Sequence, residues 1–394
     1  MIKRQLWSFH FDFWPSKAKS WLILSKTIHM STFINSIGTA LPEFSTEQGR
    51  IADFMVKHLK LNPQEERELR ILYRASGIQN RHSVLEDFGK NLNGQSFFKE
   101  DVKFPTAKPR MDLYQLHALK LAKKASLEAV RNSGVSVESI THLITISCTG
   151  MYAPGLDIEL IEELGLKTNT KRTSINFMGC YASFNGIKMA DQILRSDPDS
   201  TVLMVCVELC SIHLQEKKDE QNLLANAIFG DGAAALILGS VSRKKSLKIE
   251  NFYSDLALSG KDEMGWYIGD YGFEMRLSPK VPDVIKDGIE VLTNNLLNHI
   301  DLDLSDIDFF AIHPGGKRIL DVIEEKLSIT KEQNSYARQT LRSFGNMSSP
   351  TVLFVIKSIM ERVDTDDHGK HMLSFAFGPG LTLESAVLQV QCNA

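Results

Sequence analysis

The sequence predicts an α/β protein built from two similar halves, and three observations predict it. Apolar runs of strand length such as THLITIS, TVLMVCVEL and GAAALILG alternate with segments of helical period, the pattern of buried sheets covered by helices. The order of these segments then repeats. DFFAIHPGG delivers His313 as HLITISCTG delivers Cys148, and KRILDVIEEKL is a helix in the matching place. FGNMSSPTVLFVIKSIM has the turn-then-helix form of MGCYASFNGIKMADQIL, and HMLSFAFGPG stands where TVLMVCVE stood. The spacing agrees: 32 residues separate Cys148 from Cys180 and 33 separate His313 from Asn346. Finally, 394 residues at 43% hydrophobic content are ample for a large core in two or three domains. The expected organisation is an N-terminal extension over residues 1–29, one half over 30–240 and a second over 241–394.

Taken in order, the first 29 residues hold three of the four tryptophans (Trp7, Trp14, Trp21), five Lys/Arg and a single acid, Asp12. The segment lacks an apolar stretch of signal-peptide length and is too interrupted to span a membrane. It reads as an upstream extension of a chain whose working start is Met30, with an amphipathic surface anchor as the alternative. MSTFINSIGTALPE reads as a strand entering the fold. Ser45 to about Arg81 reads as helical and charged, with Arg70, Arg74 and Arg81 either solvated or facing a phosphate. After a loop from Phe104 to Arg110 comes a strong helix, MDLYQLHALKLAKKASLEAVRNSG. Its Ala118, Ala122, Ala125 and Ala129 recur at helical spacing and leave a smooth face for close packing, and Gly134 ends it. A second helix follows the Pro154-Gly155 break. The passage from His213 to Leu224 reads as polar loop. FGDGAAALILG is a glycine turn into a small-residue strand and not a phosphate loop, since no GxxxxGK[ST] is present. VSRKKSLKIE reads as the seam between the halves.

The stretch TSINFMGCYASFNGIKMADQILR, Thr173 to Arg195, reads as a short buried strand, a Met178-Gly179 turn and a helix starting at or just after Cys180. Unpaired N–H groups and the positive dipole end at a helix start favour thiolate over thiol, which makes Cys180 a candidate nucleophile. An isolated cysteine in such a junction is more often a small packed hydrophobe. The repeat changes the balance, because pseudo-twofold halves bring equivalent strand ends together and would unite Cys180 with His313 and Asn346. A cysteine paired with an imidazolium accepts acyl groups. The histidine and asparagine N–H groups would stabilise the enolate left when a malonyl thioester loses carbon dioxide. The same residue types serve papain-like proteases, but GCYAS lacks the CG[SA]C[WY] signature and Asn346 lies in a turn before an amphipathic helix. Composition narrows the rest. A net charge of −3 without long single-sign runs gives no reason to expect a nucleic-acid or anionic-membrane partner. Five cysteines without CxxC or Cys/His ligand spacing support neither a disulfide framework nor a zinc site, and a reducing cytoplasm is the simplest setting.

From about Met30 to Val390 the chain resembles the type III polyketide synthases, the chalcone-synthase-like branch of the thiolase superfamily. The match rests on GCYAS, FGDGAAALILG, AIHPGGKRILD, FGNMSSPTVLF and FAFGPGLTLE in the family's order. The resemblance implies a thiolase-like five-layered αβαβα fold, a homodimer and iterative decarboxylative condensation of malonyl-CoA onto an acyl-CoA starter. It implies no acyl carrier protein, and no metal or redox cofactor. By position, Cys180, His313 and Asn346 take the catalytic places, and Phe229 that of an aromatic gatekeeper between the CoA tunnel and the cavity. Cys148, Cys210, His213, Ser348, Gly378 and Pro379 take places that line or shape the cavity. Arg70 and Arg74 lie near the family's CoA-phosphate contacts but out of register with its basic residues.

Departures from the plant chalcone synthases bear on the product. Met275 stands where they place a second gatekeeping phenylalanine, and Ala153 where a methionine of one subunit reaches the other's cavity. Cys148 and Cys210 replace hydroxyl residues, and Trp266 replaces a glycine. A flexible Met275 and a less polar pocket point to a fatty or other aliphatic starter and an alkylpyrone or alkylresorcinol product. A naphthalene-type product from malonyl units alone stays open. So do a single-extension enzyme like ketoacyl synthase III and a silent dimeric partner subunit.

Overall fold

The computed structural model describes residues 31–90, 94, 96–99 and 103–392; the 1–29 extension lies outside them. The first half runs β1 (Phe33–Ala40), β2 (Phe44–Glu47), α1 (Gln48–His58), α2 (Pro63–Ala75), β3 (Asn80–Ser83), α3 (Ala107–Ser133), β4 (His142–Ser147), α4 (Leu156–Leu164), β5 (Lys171–Asn176), α5 (Ala182–Ser196), β6 (Thr201–Leu209), α6 (Glu220–Ile228) and β7 (Asp231–Gly239). The second runs β8 (Lys245–Leu256), β9 (Met264–Gly269), β10 (Gly272–Leu277), α7 (Val281–Asn298), β11 (Ile307–Ile312), α8 (Lys317–Leu327), α9 (Ser335–Phe344), α10 (Thr351–Arg362), β12 (His371–Gly378) and β13 (Thr382–Cys392).

Nine of the described strands form one sheet in the order β11-β12-β13-β8-β1-β7-β6-β4-β5. The repeat seen in the sequence is a repeat of topology. β4 lies parallel to β6, β6 antiparallel to β7 and β7 antiparallel to β1; likewise β11 lies parallel to β12, β12 antiparallel to β13 and β13 antiparallel to β8. The halves join edge to edge where β1 meets β8, at Phe33↔Lys248 and Ile34↔Leu247. Helix α5 packs on β4 and β6 and reaches across to the other half, where Lys188 Nζ donates to Glu384 Oε1 at 2.8 Å. Helix α10 touches β11, β1, β7 and β8. These two helices form the middle layer, with α3 and α4 outside one half-sheet and α7 and α8 outside the other. The five layers are αβαβα.

Local chemistry explains one close contact between helix and sheet. The alanine face of α3 is fully buried against β1, and a Cβ on Gly38 would lie 2.1 Å from the Ala125 carbonyl oxygen. Small residues on both sides let helix and strand touch backbone to backbone. The helix stops at Gly134, whose φ of 68° is left-handed and costs glycine little.

Five expectations are corrected. Ser45 to Arg81 is not one helical stretch: α1 and α2 are flanked by the β2–β3 pair, and Arg81 sits buried on β3. Helix α3 begins at Ala107, inside the expected loop, because a proline in a first helical turn has no N–H to lose. The polar passage after His213 contains α6, whose Asp219 caps it by accepting from the Asn222 N–H at 3.1 Å, and Lys245–Glu250 of the supposed seam is already β8. Strand β5 is not buried: it is the sheet edge beyond β4, with exposed and half-exposed residues alternating along it.

Candidate active site

Strand β5 ends at Asn176, and the chain turns through Phe177 (φ 60°) and Gly179 (φ 82°) to place Cys180 two residues before α5. Glycine is needed at 179, since a Cβ there would lie 2.4 Å from Pro379 Cδ. It is needed equally at 378, where a Cβ would lie 2.5 Å from Tyr181 Cδ1. The Gly378-Pro379 loop thus closes directly on the nucleophile turn. His313 follows β11, held by its N–H donating to the Phe375 carbonyl at 2.8 Å. Asn346 lies between α9 and α10. Its amide orientation is set from behind: Oδ1 accepts from the Ser348 N–H at 2.8 Å and from Thr351 Oγ1 at 3.3 Å. Nδ2 is then free to face Cys180, 3.9 Å from Sγ, while donating to the Gly315 carbonyl at 3.2 Å.

Burial, more than the helix start, sets the charges. The Cys180 thiol is pushed up to about 11, although hydrogen bonds from Ser348 and Asn346 pull the other way. Burial pulls the His313 imidazole down to about 3. Neither ring nitrogen of His313 has a hydrogen-bond partner among the described residues. Burial therefore opposes the expected thiolate–imidazolium pair and favours a neutral thiol beside a neutral imidazole. The dipole at one helix start does not offset removal of both groups from water. His313 and Asn346 line the same cavity, where the single N–H of a neutral imidazole and Asn346 Nδ2 are the donors available to an incoming oxygen.

Two cavities meet at Cys180. The outer one, of about 280 Å³, is lined by His313 and Asn346 and by apolar residues of α2, α6 and β10, with Lys317 and Arg318 among its walls. The inner one, of about 60 Å³, is lined by Cys148, Cys210, His213, Trp266, Ser348 and Pro379, among others. Cys180, Phe229, Met264 and Met275 line both. Phe229 and the two methionines are thus the partition between them. Gly378 lines neither cavity and packs against the Cys180-Tyr181 turn.

The remaining predicted positions separate into wall and frame. His213 is neutral and fixed. It donates from Nε2 to the Thr149 carbonyl at 2.7 Å, accepts the Phe273 N–H at Nδ1 at 2.9 Å, and stacks on Phe273 with centroids 4.4 Å apart. Burial holds its imidazole down to about 3. Cys148 Sγ accepts the Gly179 N–H at 3.1 Å, so it buttresses the nucleophile turn, and burial raises its thiol well above the usual range. Trp266 narrows the inner cavity from a fixed pose, its Nε1 donating to the Cys148 carbonyl at 2.6 Å. Arg70 and Arg74 are not brought to the Cys180 cavity. They line a separate surface depression, and Arg70 is paired with Asp53 at 2.7 Å and Glu66 at 2.8 Å. The face of α2 that does line the outer cavity is Leu72, Ala75 and Ser76.

Several residues escaped the sequence reading. Lys317 and Arg318 were visible inside HPGGKRILD but read only as the start of a helix. Met264 and Thr351 gave no signal of their own. Glu208 is buried and accepts from the Cys148 N–H at 2.9 Å, Thr149 Oγ1 at 2.8 Å and Ser349 Oγ at 2.7 Å, tying both halves together beneath the site. An acid within the apolar strand TVLMVCVEL was the available clue.

Fold and site together define a thiolase-like condensing enzyme that transfers acyl groups. Residues 25–242 match the N-terminal domain of the chalcone and stilbene synthases, and residues 256–391 match their C-terminal domain. The chain belongs to that family and is a type III polyketide synthase, an acyltransferase. Among its relatives, "Alpha-pyrone synthesis polyketide synthase-like Pks18" of Mycobacterium tuberculosis is 30% identical over 362 residues, covering 91% of each chain. "Type III polyketide synthase C" of Arabidopsis thaliana is 28% identical over 90% of this chain and 94% of its own. The crystal structure of PKS-I from the brown alga Ectocarpus siliculosus superposes with a TM-score of 0.84 at 29% identity, covering 91% of this chain and 98% of that one. No helix among the described residues is long and apolar enough to cross a membrane.

Proposed function

We propose that this enzyme loads an acyl group from an acyl-CoA onto Cys180, extends it by repeated decarboxylative condensation with malonyl-CoA, and releases an alkylpyrone or alkylresorcinol. The observation that carries this is the meeting of two cavities at Cys180: one carries the donor groups of His313 and Asn346, the other is walled mainly by apolar side chains and sulfur. In loading, Cys180 Sγ attacks the thioester carbon while its proton passes to His313, and the CoA thiolate leaves and takes up a proton. In extension, malonyl-CoA sets its thioester oxygen against the His313 N–H and Asn346 Nδ2. Loss of carbon dioxide leaves an enolate that these donors already face. The enolate carbon attacks the acyl-Cys180 carbonyl, the new carbon–carbon bond forms, and Cys180 Sγ departs and is reprotonated. Every step is assigned to side chains and substrates, without a metal, a redox cofactor or an acyl carrier protein.

Lys317 and Arg318 replace Arg70 and Arg74 as the cations assigned to the CoA phosphates, because they flank the outer cavity. An aliphatic starter is supported by Met264 and Met275, whose unbranched side chains can swing and merge the two volumes. Pyrone formation draws support from the relative named for α-pyrone synthesis. Among the described residues β5 is the end strand of the sheet, one turn from Cys180, and a second copy would continue the sheet there, which supports a homodimer. We place the enzyme in the cytoplasm.

The test is a product assay with malonyl-CoA and acyl-CoA starters from short to long, read by mass spectrometry. Pyrones or resorcinols carrying the supplied tail are expected. A single β-keto product would move the enzyme to the single-extension class, turnover of malonyl-CoA alone would move it to a naphthalene-type product, and no product with any starter would support the silent subunit.

A further inference from the structure

A helix leaves its last carbonyls without intrahelical donors. At the end of α6, four consecutive carbonyls are each taken by a group from elsewhere in the chain. The Asn226 oxygen accepts from Arg81 Nη1 at 2.8 Å and Tyr73 Oη at 3.2 Å, and the Ala227 oxygen from Gln48 Nε2 at 2.6 Å. The Ile228 oxygen accepts from the backbone N–H of Asn346 at 2.9 Å, and the Phe229 oxygen from Arg81 Nη1 at 2.7 Å. Arg81 Nε donates to Gln48 Oε1 at 2.9 Å and completes the frame.

The frame joins two functional parts. Phe229 belongs to the partition between the cavities, and Asn346 carries a donor for the enolate. Their backbones form a parallel bridge, in which the Gly230 N–H also donates to the Asn346 carbonyl at 2.9 Å. The approach is close enough that a Cβ on Gly345 would lie 2.8 Å from the Ile228 oxygen and 3.0 Å from Arg81 Cγ. Arg81 itself is buried, forms no ion pair among the described residues, and packs its guanidinium over the Tyr73 ring at 5.8 Å. Its charge sits at the negative end of α6, where a cation is stabilised.

Resting on the proposed polyketide synthesis, we propose that Arg81 is a positioning residue that sets Phe229 and Asn346 together, coupling the width of the passage between the cavities to the rate of malonyl-CoA decarboxylation. Arg81 borders the inner cavity, but the role assigned to it runs through Phe229 and Asn346 and not through the bonds made and broken at Cys180. One side chain, reached from β3, therefore adjusts starter selection and enolate formation at once.

The test uses the full chain with Arg81→Met and Arg81→Lys, each alone and with Phe229→Ala. Three quantities are read: carbon dioxide release from malonyl-CoA, the starter length with the highest kcat/KM, and the ratio of Cys180 alkylation by N-dodecylmaleimide to that by iodoacetamide. Arg81→Met should lower carbon dioxide release roughly ten- to a hundredfold, the scale of a small misplacement of a reacting group. It should also shift the preferred starter length and the alkylation ratio, with Arg81→Lys in between. In the Phe229→Ala background the shift in starter length and alkylation should vanish while the loss of carbon dioxide release persists, because that loss runs through Asn346. Unchanged values in a folded Arg81→Met enzyme would overturn the proposal, as would starter shifts that simply add to those of Phe229→Ala. If Arg81→Met fails to fold, Arg81→Lys and Gln48→Ala carry the same comparison. Neither the alkylation ratio nor carbon dioxide release needs a finished product, so a wild-type chain that makes no polyketide would refute the proposed synthesis while these two readouts still decide the coupling.

Discussion

The two halves carry matching strands in matching order, yet the first supplies a sulfur and the second supplies only hydrogen-bond donors. After β4 and β5 the first half turns sharply through Gly179 and sets Cys180 at the start of α5. After β11 the second half sets His313, and its counterpart of the nucleophile turn carries Asn346 before α10. The first half also has an extra edge strand, β5, where the second has the short bridge between Asn346 and Phe229. The lesson is that the scaffold fixes where strand ends meet, while the residue placed at each end decides the chemistry. Neither half holds a complete site.

The comparison sharpens if the halves are electrically independent at rest. With the Cys180 thiol near 11, alkylation by iodoacetamide should climb about tenfold per pH unit from about pH 7 to 10, following the thiolate fraction. The sign follows from a raised thiol: the reactive form is scarce at neutral pH and grows as pH rises. A plateau reached below pH 7 would break the comparison, since His313 would then already hold the thiolate before substrate arrives.

A smaller effect is expected at the mouth of the outer cavity, which the second half supplies through α8. Replacing Lys317 and Arg318 together by alanine should raise KM for both CoA thioesters roughly tenfold, the scale of lost charge-assisted hydrogen bonds, with kcat little changed. Added salt should shrink the difference. Arg70→Ala should leave KM where it is; a rise in KM for Arg70→Ala and not for the Lys317/Arg318 pair would return phosphate recognition to the first half.

Much of this site was legible because its parts lie at strand ends marked by local motifs. GCYAS, HPGG and GNMSS each combine an apolar run with a turn that only glycine or a small polar residue permits, so the sequence alone points to Cys180, His313 and Asn346 as neighbours. The repeat was legible for the same reason. What was not legible depends on surroundings assembled in three dimensions. The charge state of Cys180 is not legible in the sequence, because a helix start is local while the burial that raises the thiol is contributed by both halves. Arg81 was read within a charged helical run, since nothing in NRHS reveals that its guanidinium turns inward to the end of α6. Arg70 and Arg74 were read by proximity in sequence, but the face of α2 that borders the cavity is Leu72, Ala75 and Ser76. Helix α6 was hidden by its polar residues, which cap its start and face its flanks.

The division of labour between the halves is tested most directly by measuring acyl loading and malonyl-CoA decarboxylation separately in Cys180→Ala and Asn346→Ala, the first by intact-protein mass and the second by carbon dioxide release. Cys180→Ala should take up no acyl group yet still release carbon dioxide. Asn346→Ala should load acyl groups but decarboxylate roughly 10²- to 10³-fold more slowly, the loss expected for one enolate donor. Equal loss of both activities in both variants, or unimpaired decarboxylation in Asn346→Ala, would contradict the account.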